Sequence, residues 1–473
     1  MITEVATDQD AGTAQRPRRF RRVLIANRGE IAVRINQACR EAGLETVQVY
    51  SVADAHSHAV RLADRSVCIG GPRPSESYLS VNALLEAART SGADAVHPGY
   101  GFLSENAEFA ERVEQAGLVY VGPQAQIIRT MGDKAAAREC AMRAGVPVTP
   151  GSSQPIDHLA DALAIAAEAG YPVVVKAVAG GGGRGMRVAK DESELQTALE
   201  RAASEAKAAF GNGAVYVEKF LEEVRHIEVQ VMGDGQRAIH LGERDCTIQR
   251  RHQKLVEEGP SPALSAELRE QILLAATRLA QFVGYRSAGT VEFIFDAREQ
   301  RFYFIEMNTR IQVEHPVTEM LTGLDLVQMQ LAIARGEPLP IDQAAVTFSG
   351  HAIECRINAE DPDKGFMPRA GRLTGFVPPS GPGIRVDTHA YPGYDLPPYY
   401  DSLIAKVVAW GPDRGSAIAR MRRALADFRI EGVKTTIDFH KRLLEEPRFI
   451  DGDVHTRFIK EQMWAGHPMQ HLL

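Results

Sequence analysis

No stretch of this 473-residue sequence approaches the roughly 18 consecutive apolar residues that a membrane span requires. The first fifteen residues carry Glu4, Asp8 and Asp10 and no apolar segment, so they support neither a signal peptide nor a transit peptide. The expectation there is a disordered tail, residues 1–20. The five cysteines are odd in number and include no CxxC pair, which argues against a disulfide framework and a zinc site and fits a reducing cytoplasm. A net charge of −7 gives no basis for a nucleic-acid or membrane surface. One local exception, the basic cluster Arg16, Arg18, Arg19, Arg21 and Arg22, reads as a solvated flank to the first strand, with an acidic partner as the alternative. Internal repeats and low-complexity tracts are also missing. What remains, 44% hydrophobic and 24% charged, is an ordinary globular composition long enough for two or three domains.

Strand and helix patterns alternate from the start. Residues 23–28 begin as an apolar strand, a helical pattern runs to Gly43, and Thr46–Tyr50 reads as the next strand. With a helix over Val81–Ala88 and a strand over Ala93–His97, this spacing predicts a Rossmann-like parallel α/β domain. Its first turn holds one glycine rather than GxGxxG, so dinucleotide binding is not expected. A helix over 134–144 leads into a compact unit at about 149–222, with helices over 157–169 and 193–209 and strands at Pro172–Val178 and Val215–Glu218. The region 226–315 alternates like β-structure around a helix near 264–283. A helix over 324–335 and a mixed α+β domain from about 350 to 465 complete the chain.

Three segments carry candidate chemistry. Ala179–Met186 contains four consecutive glycines, which cost entropy in a fold and permit backbone N–H groups to close around phosphate. A flexible hairpin turn is the plain alternative; Lys176 at the end of the preceding strand favours phosphate and a lid. Thr290–Phe295 and Phe302–Met307 read as an antiparallel hairpin; if its register pairs residues whose numbers sum to 598, Glu292 lies opposite Glu306, and two glutamates on a solvated face are the plain alternative. Like charges so placed destabilise a sheet unless a cation lies between them, and Mg²⁺ suits two carboxylates plus phosphates. The third segment, Glu306-Met-Asn-Thr-Arg-Ile-Gln-Val-Glu-His315, alternates polar and apolar residues. If extended, it lines up Glu306, Asn308, Arg310, Gln312 and Glu314 on one face; as a helix, it would make surface ion pairs. Its Asn, Thr, Ile and Val favour extended chain, with arginine offering a fork to a carboxylate-like anion. Arg244, Arg250, Arg251, His252 and Lys254 cluster just before Glu257-Glu258, and a charge run of this kind reads most simply as a solvated face.

Together these stretches resemble the biotin carboxylase family, an ATP-grasp fold, from about residue 22 to 462. Ile25–Ile31, His97–Asn106, Met131–Lys134, the glycine loop, Arg244–Lys254, Glu306–His315 and Glu354–Asp361 carry the resemblance. It implies an N-terminal domain over 21–132, an ATP-grasp domain over 133–330 with its lid at about 149–222, and a C-terminal domain over 331–465. It also implies ATP ligands Lys134, Lys176, Gly182 and Gly183, an adenine hinge at Glu218, Lys219, Phe220 and Leu221, and further nucleotide contacts from His226, Gln249 and His252. Glu292, Glu306 and Asn308 match metal ligands for Mg²⁺ or Mn²⁺. Lys254, Arg310, Gln312, Val313 and Glu314 match a bicarbonate pocket, with Glu314 as base. Arg356 and Tyr100 match the biotin site. No lysine sits in a Met-Lys-Met setting, so biotin is expected on a separate biotin carboxyl carrier protein, alongside carboxyltransferase subunits and a homodimeric assembly. The resemblance further implies acetyl-CoA carboxylation in the cytoplasm. Two rivals remain at this level: an ATP-grasp ligase passing an acyl phosphate to an amine, and a non-catalytic scaffold.

Overall fold

A computed structural model describes residues 20–152, 154, 156, 158–177, 186–210, 215–251 and 253–464. The tail expected over 1–20 falls almost wholly outside the described residues, as do Gly182, Gly183 and the rest of the glycine run, and His252. No described helix is long and apolar enough to cross a membrane.

The N-terminal part is a five-stranded parallel sheet, as its alternation predicts. β1 (Arg22–Ile25), β2 (Glu45–Ser51), β3 (Arg65–Gly70), β4 (Ala95–His97) and β5 (Val119–Tyr120) lie in the order β3-β2-β1-β4-β5. Val23, Leu24 and Ile25 are fully buried, because helices cover both faces of such a sheet. The first helix, Gly29–Glu41, is followed at the expected place by Gly43 at φ 67°, a conformation that favours glycine.

The compact unit forms a three-stranded antiparallel sheet, β7-β6-β8, from β6 (Val173–Ala177), β7 (Met186–Ala189) and β8 (Val215–Lys219). Helices Leu159–Ala169 and Glu192–Phe210 accompany it, and it keeps a small core of its own around Val173, Val175, Leu195 and Val217.

The centre is an eight-stranded sheet. β9 (Val224–Asp234), β10 (Ala238–Arg250), β11 (Gln253–Gly259), β12 (Arg286–Asp296), β13 (Arg301–Asn308) and β14 (His351–Asn358) run in the order β13-β12-β9-β10-β11-β14, continued by Leu403–Gly411 and Ile384–Thr388. Helix Ala266–Phe282, capped by the Ser265 hydroxyl, adds Ile272 and Leu279 to the core formed by Val229, Val231, Phe293 and Phe295. The helix expected over 324–335 spans Leu326–Ala334 and packs into the core of the N-terminal sheet beside Ile31 and Ile35. One sheet therefore joins residues 224–308 to residues 351–411.

The β12–β13 register does pair Glu292 with Glu306, and a bulge immediately beyond shifts Phe293 onto Phe304. The expected extended run to His315 does not form. β13 stops at Asn308, residues 309–314 are irregular, and a helix begins at His315. Two contacts go with this: the Glu105 carboxylate, distant in sequence, accepts the Thr309 backbone N–H (3.1 Å), and Pro316 opens the helix.

Candidate active site

The site lies on one face of the central sheet, built by the two-residue alternation of its strands. In β9, Ile227, Val229 and Val231 enter the core while His226, Glu228 and Gln230 occupy the alternate positions. Lys254 of β11 is the hub. Its ammonium donates to Glu292 Oε1 (2.9 Å), Glu314 Oε1 (2.7 Å) and Gln312 Oε1 (3.3 Å), and also to Glu228. Glu292 Oε1 accepts from the side-chain amides of Asn308 (2.9 Å) and Gln312 (3.0 Å), while its Oε2 lies 2.9 Å from His226 Nε2. Arg356 of β14 bridges two acids, donating from Nε to Glu257 (2.6 Å) and from Nη2 to Glu314 (2.9 Å). Arg310 is braced by Glu105 (Nε to Oε2, 2.8 Å) and donates to Asn308 Oδ1 (3.1 Å).

Charge balance follows from these contacts. Burial alone would push the Glu314 carboxyl up, but Lys254, Arg356 and Arg244 outweigh it and hold the group well below the usual carboxylate range. Burial likewise opposes the ionised form of Glu292, yet Lys254 and His226 keep it low. Glu306 differs: partial desolvation of its carboxyl, on a residue that is otherwise exposed, then the charges of Glu292 and Glu105, raise it, and the exposed Lys134 only partly compensates. A carboxylate raised by a like charge across a hairpin is a position that a divalent cation would relieve, and Glu292 and Asn308 lie beside it as further oxygen donors. His226, Glu228 and Glu292 also bring ligand atoms within 4.8 Å of one another, but Glu228 is already neutralised by Arg244 (2.6 Å) and Lys254.

Other expected residues lie farther out. Lys176 and Glu218 pair with each other across β6 and β8 at 2.5 Å, so the proposed phosphate lysine and hinge acid meet within the small lobe. Lys219 is tied to the carbonyls of Gly170 (3.2 Å) and Tyr171 (3.3 Å), and the Phe220 N–H donates to the Pro172 carbonyl (2.9 Å); Leu221 follows on the same segment. Gln249 pairs with Lys254 across the β10–β11 ladder. Lys406, fully buried, donates to the Val313 carbonyl (2.8 Å) and pairs with Glu30 (3.0 Å), which in turn accepts from the Tyr100 hydroxyl. Tyr100 and Glu30 line a cavity of about 340 Å³ between the N-terminal sheet and the segment Tyr399–Leu403.

The solvated-face reading of residues 243–254 is overturned. Arg244 is fully buried among Glu228, Gln230 (2.8 Å) and Thr318 (2.7 Å), and Lys254 is the hub. Glu257 and Glu258, which follow that run, hydrogen-bond outside it. Glu257 pairs with Arg356, and Glu258 with His351 (2.8 Å) and Arg414 (2.6 Å), on strands and helices remote in sequence. Sequence reasoning missed Glu105, Glu228, Glu257, Glu354 and Lys406. For Glu228 the signal was there: an acid alternating with Ile227 and Val229 inside a buried strand.

A small lobe joined to a large sheet of paired acids, lysines and arginines defines an ATP-dependent ligase of the ATP-grasp kind. Residues 133–342 match the family model described as the ATP binding domain of the carbamoyl-phosphate synthase L chain. Residues 19–128 and 354–461 match the N-terminal and C-terminal domains of biotin carboxylase. Biotin carboxylase 1 of Bacillus subtilis is 56% identical over 442 residues, covering 93% of this chain and 98% of that protein. The biotin carboxylase of Pseudomonas aeruginosa is 53% identical over 444 residues, again covering 93% and 98%. The solved biotin carboxylase domain dimer of Hydrogenobacter thermophilus 2-oxoglutarate carboxylase, with MgADP, ADP and bicarbonate, has a TM-score of 0.86 at 49% identity, covering 94% of this chain and 98% of that one. The chain belongs to the biotin carboxylase family, whose members carboxylate biotin with ATP and bicarbonate. The amine-ligase and scaffold alternatives give way to this assignment.

Proposed function

We propose that the chain carboxylates biotin on a separate biotin carboxyl carrier protein, by way of carboxyphosphate, as the first half-reaction of acetyl-CoA carboxylase in the cytoplasm. The observation that carries this reading is the meeting of Lys254, Gln312, Glu314 and Arg356 in one hydrogen-bonded group beside Glu292. The working units are residues 21–132, 133–330 with a lid at about 149–222, and 331–465. Lys134 and Lys176, with Gly182 and Gly183 of the lid, bind the ATP phosphates. Glu218, Lys219, Phe220 and Leu221 border the adenine, and His226, Gln249 and His252 supply its other contacts. Mg²⁺ or Mn²⁺ held by Glu292, Glu306 and Asn308 neutralises charge on the phosphoryl group being transferred.

Lys254, Arg310, Gln312 and the Val313 backbone seat bicarbonate. Glu314 accepts its proton, and the bicarbonate oxygen then attacks the γ-phosphorus with departure of ADP. Bicarbonate competes for Lys254, and a Glu314 relieved of that ammonium becomes a stronger base. Carboxyphosphate breaks down to CO2 and phosphate, the phosphate removes the N1 proton of biotin, and N1 attacks CO2. Arg356 stabilises the enolate-like ureido oxygen, and Tyr100 borders the ring. A closed lid excludes water that would hydrolyse the intermediate.

The dimeric relative supports a homodimer here, and carboxyltransferase subunits complete the reaction. Phosphate release from MgATP is expected to require bicarbonate and to rise with free biotin. Stimulation by an amine in place of biotin would refute this reading. Formation of malonyl-CoA after mixing with carrier and acetyl-CoA carboxyltransferase tests the assembly, and acceptance of a pyruvate transferase alone would move the chain to that pathway.

A further inference from the structure

Behind Arg356 lies a second acid that the reaction scheme leaves unused. Glu257 of β11 and Glu354 of β14 are direct cross-strand partners, and both are fully buried. Among the described residues, Glu257 Oε2 and both oxygens of Glu354 have no hydrogen-bond partner. Glu257 spends its other oxygen on Arg356 Nε (2.6 Å). Two ionised carboxylates facing each other in a sheet interior repel strongly in low dielectric, and one proton between them converts the repulsion into an O–H···O hydrogen bond.

We propose that Glu257 and Glu354 hold one proton between them and that Glu257 is a positioning residue for Arg356, keeping its guanidinium aligned with Glu314 and the biotin ureido oxygen. The second half rests on the assignment of Arg356 to biotin; the first does not.

The surrounding charges set the polarity of the pair. Arg356 and Glu354 face Glu257 from β14, Glu314 from the loop, Lys254 from its own strand and Cys246 from β10, while Lys406 faces Glu354 from the neighbouring strand. Burial pushes Glu257 up to about 7 despite Arg356, and burial lifts Glu354 well above the carboxylate range. Glu354, with neither oxygen hydrogen-bonded, is the member that carries the proton, and Glu257, held by Arg356, is the one that ionises. Above that point the Glu257 anion compensates part of the Arg356 charge and fixes its plane. Below it, Arg356 is released to Glu314 alone, which lowers the basicity of Glu314.

Two measurements test this on the full chain. Infrared spectra of the wild type at neutral pH are expected to show the carbonyl stretch of a protonated, buried carboxyl that disappears in Glu354→Gln; a wild-type spectrum without it, or one unchanged by the substitution, overturns the shared proton. Biotin-dependent turnover of the wild type is expected to rise as pH increases through about 7. Glu257→Gln removes that step and lowers the alkaline kcat for biotin carboxylation by roughly tenfold to a hundredfold, the worth of one hydrogen bond to a charged group, with Glu257→Asp recovering part of it. A Glu257→Gln profile parallel to the wild type, or a change confined to the KM for ATP, overturns the positioning role. If the wild type itself shows no biotin-dependent turnover, the proposed function fails while the infrared result still decides the proton.

Discussion

Removal of the Arg244 guanidinium is the sharpest structural test of the site. Arg244 and Glu228 are both fully buried, so no solvent screens the pair. In Arg244→Met, Glu228 keeps only Lys254 as a cation, and Gln230 Oε1 and Thr318 Oγ1 lose their donor. Breaking a buried ion pair by deleting one partner costs about 3–5 kcal/mol. In Arg244→Met/Glu228→Gln the unpaired charge is gone as well, and what remains is a deficit of neutral hydrogen bonds worth ~1–2 kcal/mol. The single variant should therefore be the less stable of the two, an inversion of simple additivity. Urea unfolding followed by tryptophan fluorescence suits the comparison, because one of the two tryptophans, Trp410, lies in the same eight-stranded sheet. In the single variant Glu228 also draws harder on Lys254, so the KM for bicarbonate should rise. A double variant no more stable than the single one would show that the buried charge is not what the sheet is compensating.

Glu314→Gln should fold normally and lose roughly 10²–10⁴-fold in biotin carboxylation, the usual contribution of a positioned base, read by bicarbonate-dependent phosphate release beside a thermal melt. Chelation of divalent cations should abolish turnover and Mn²⁺ should restore it, while Glu306→Gln should raise the Mg²⁺ concentration needed for half-maximal rate; an unchanged Mg²⁺ requirement removes Glu306 from the metal site. Acid stability should depend on Glu258: burial opposes its charge, but hydrogen bonds from His351 and Arg414 hold it at about 2. The sign for a depressed acid is stabilisation present above its unfolded value near 4.5 and lost as pH falls towards 2, worth up to roughly 3 kcal/mol. Arg414→Met should accordingly move the acid-unfolding midpoint to higher pH, and an unmoved midpoint refutes the assignment.

Local pattern made the hairpin legible as two short alternating strands around a polar turn, while the pairing of Glu292 with Glu306 was one conditional register that the structure adopts. Helix limits were similarly readable, as at Lys134–Arg143 and Leu326–Ala334. The path of residues 309–314 was not, since Glu105, the carboxylate that takes the Thr309 N–H, lies some 200 positions earlier. The basic run misled for the same reason. A charge looks solvated in sequence unless its counter-charge is nearby, and Arg244 and Lys254 find theirs on β9, β12 and the loop before His315. The glycine loop and His252 could be weighed by motif alone.

The β11–β14 pairing has a consequence for how the chain can be divided. A fragment ending near residue 342 keeps every acid expected to hold the metal, yet it bares the edge at Val256–Gly259. An uncovered edge strand recruits other edges, so such a fragment is expected to aggregate. The strand that covers this edge is the one that carries Arg356. Protection against self-association and the arginine proposed to meet the acceptor are thus lodged in one stretch of backbone, and neither can be trimmed away without the other.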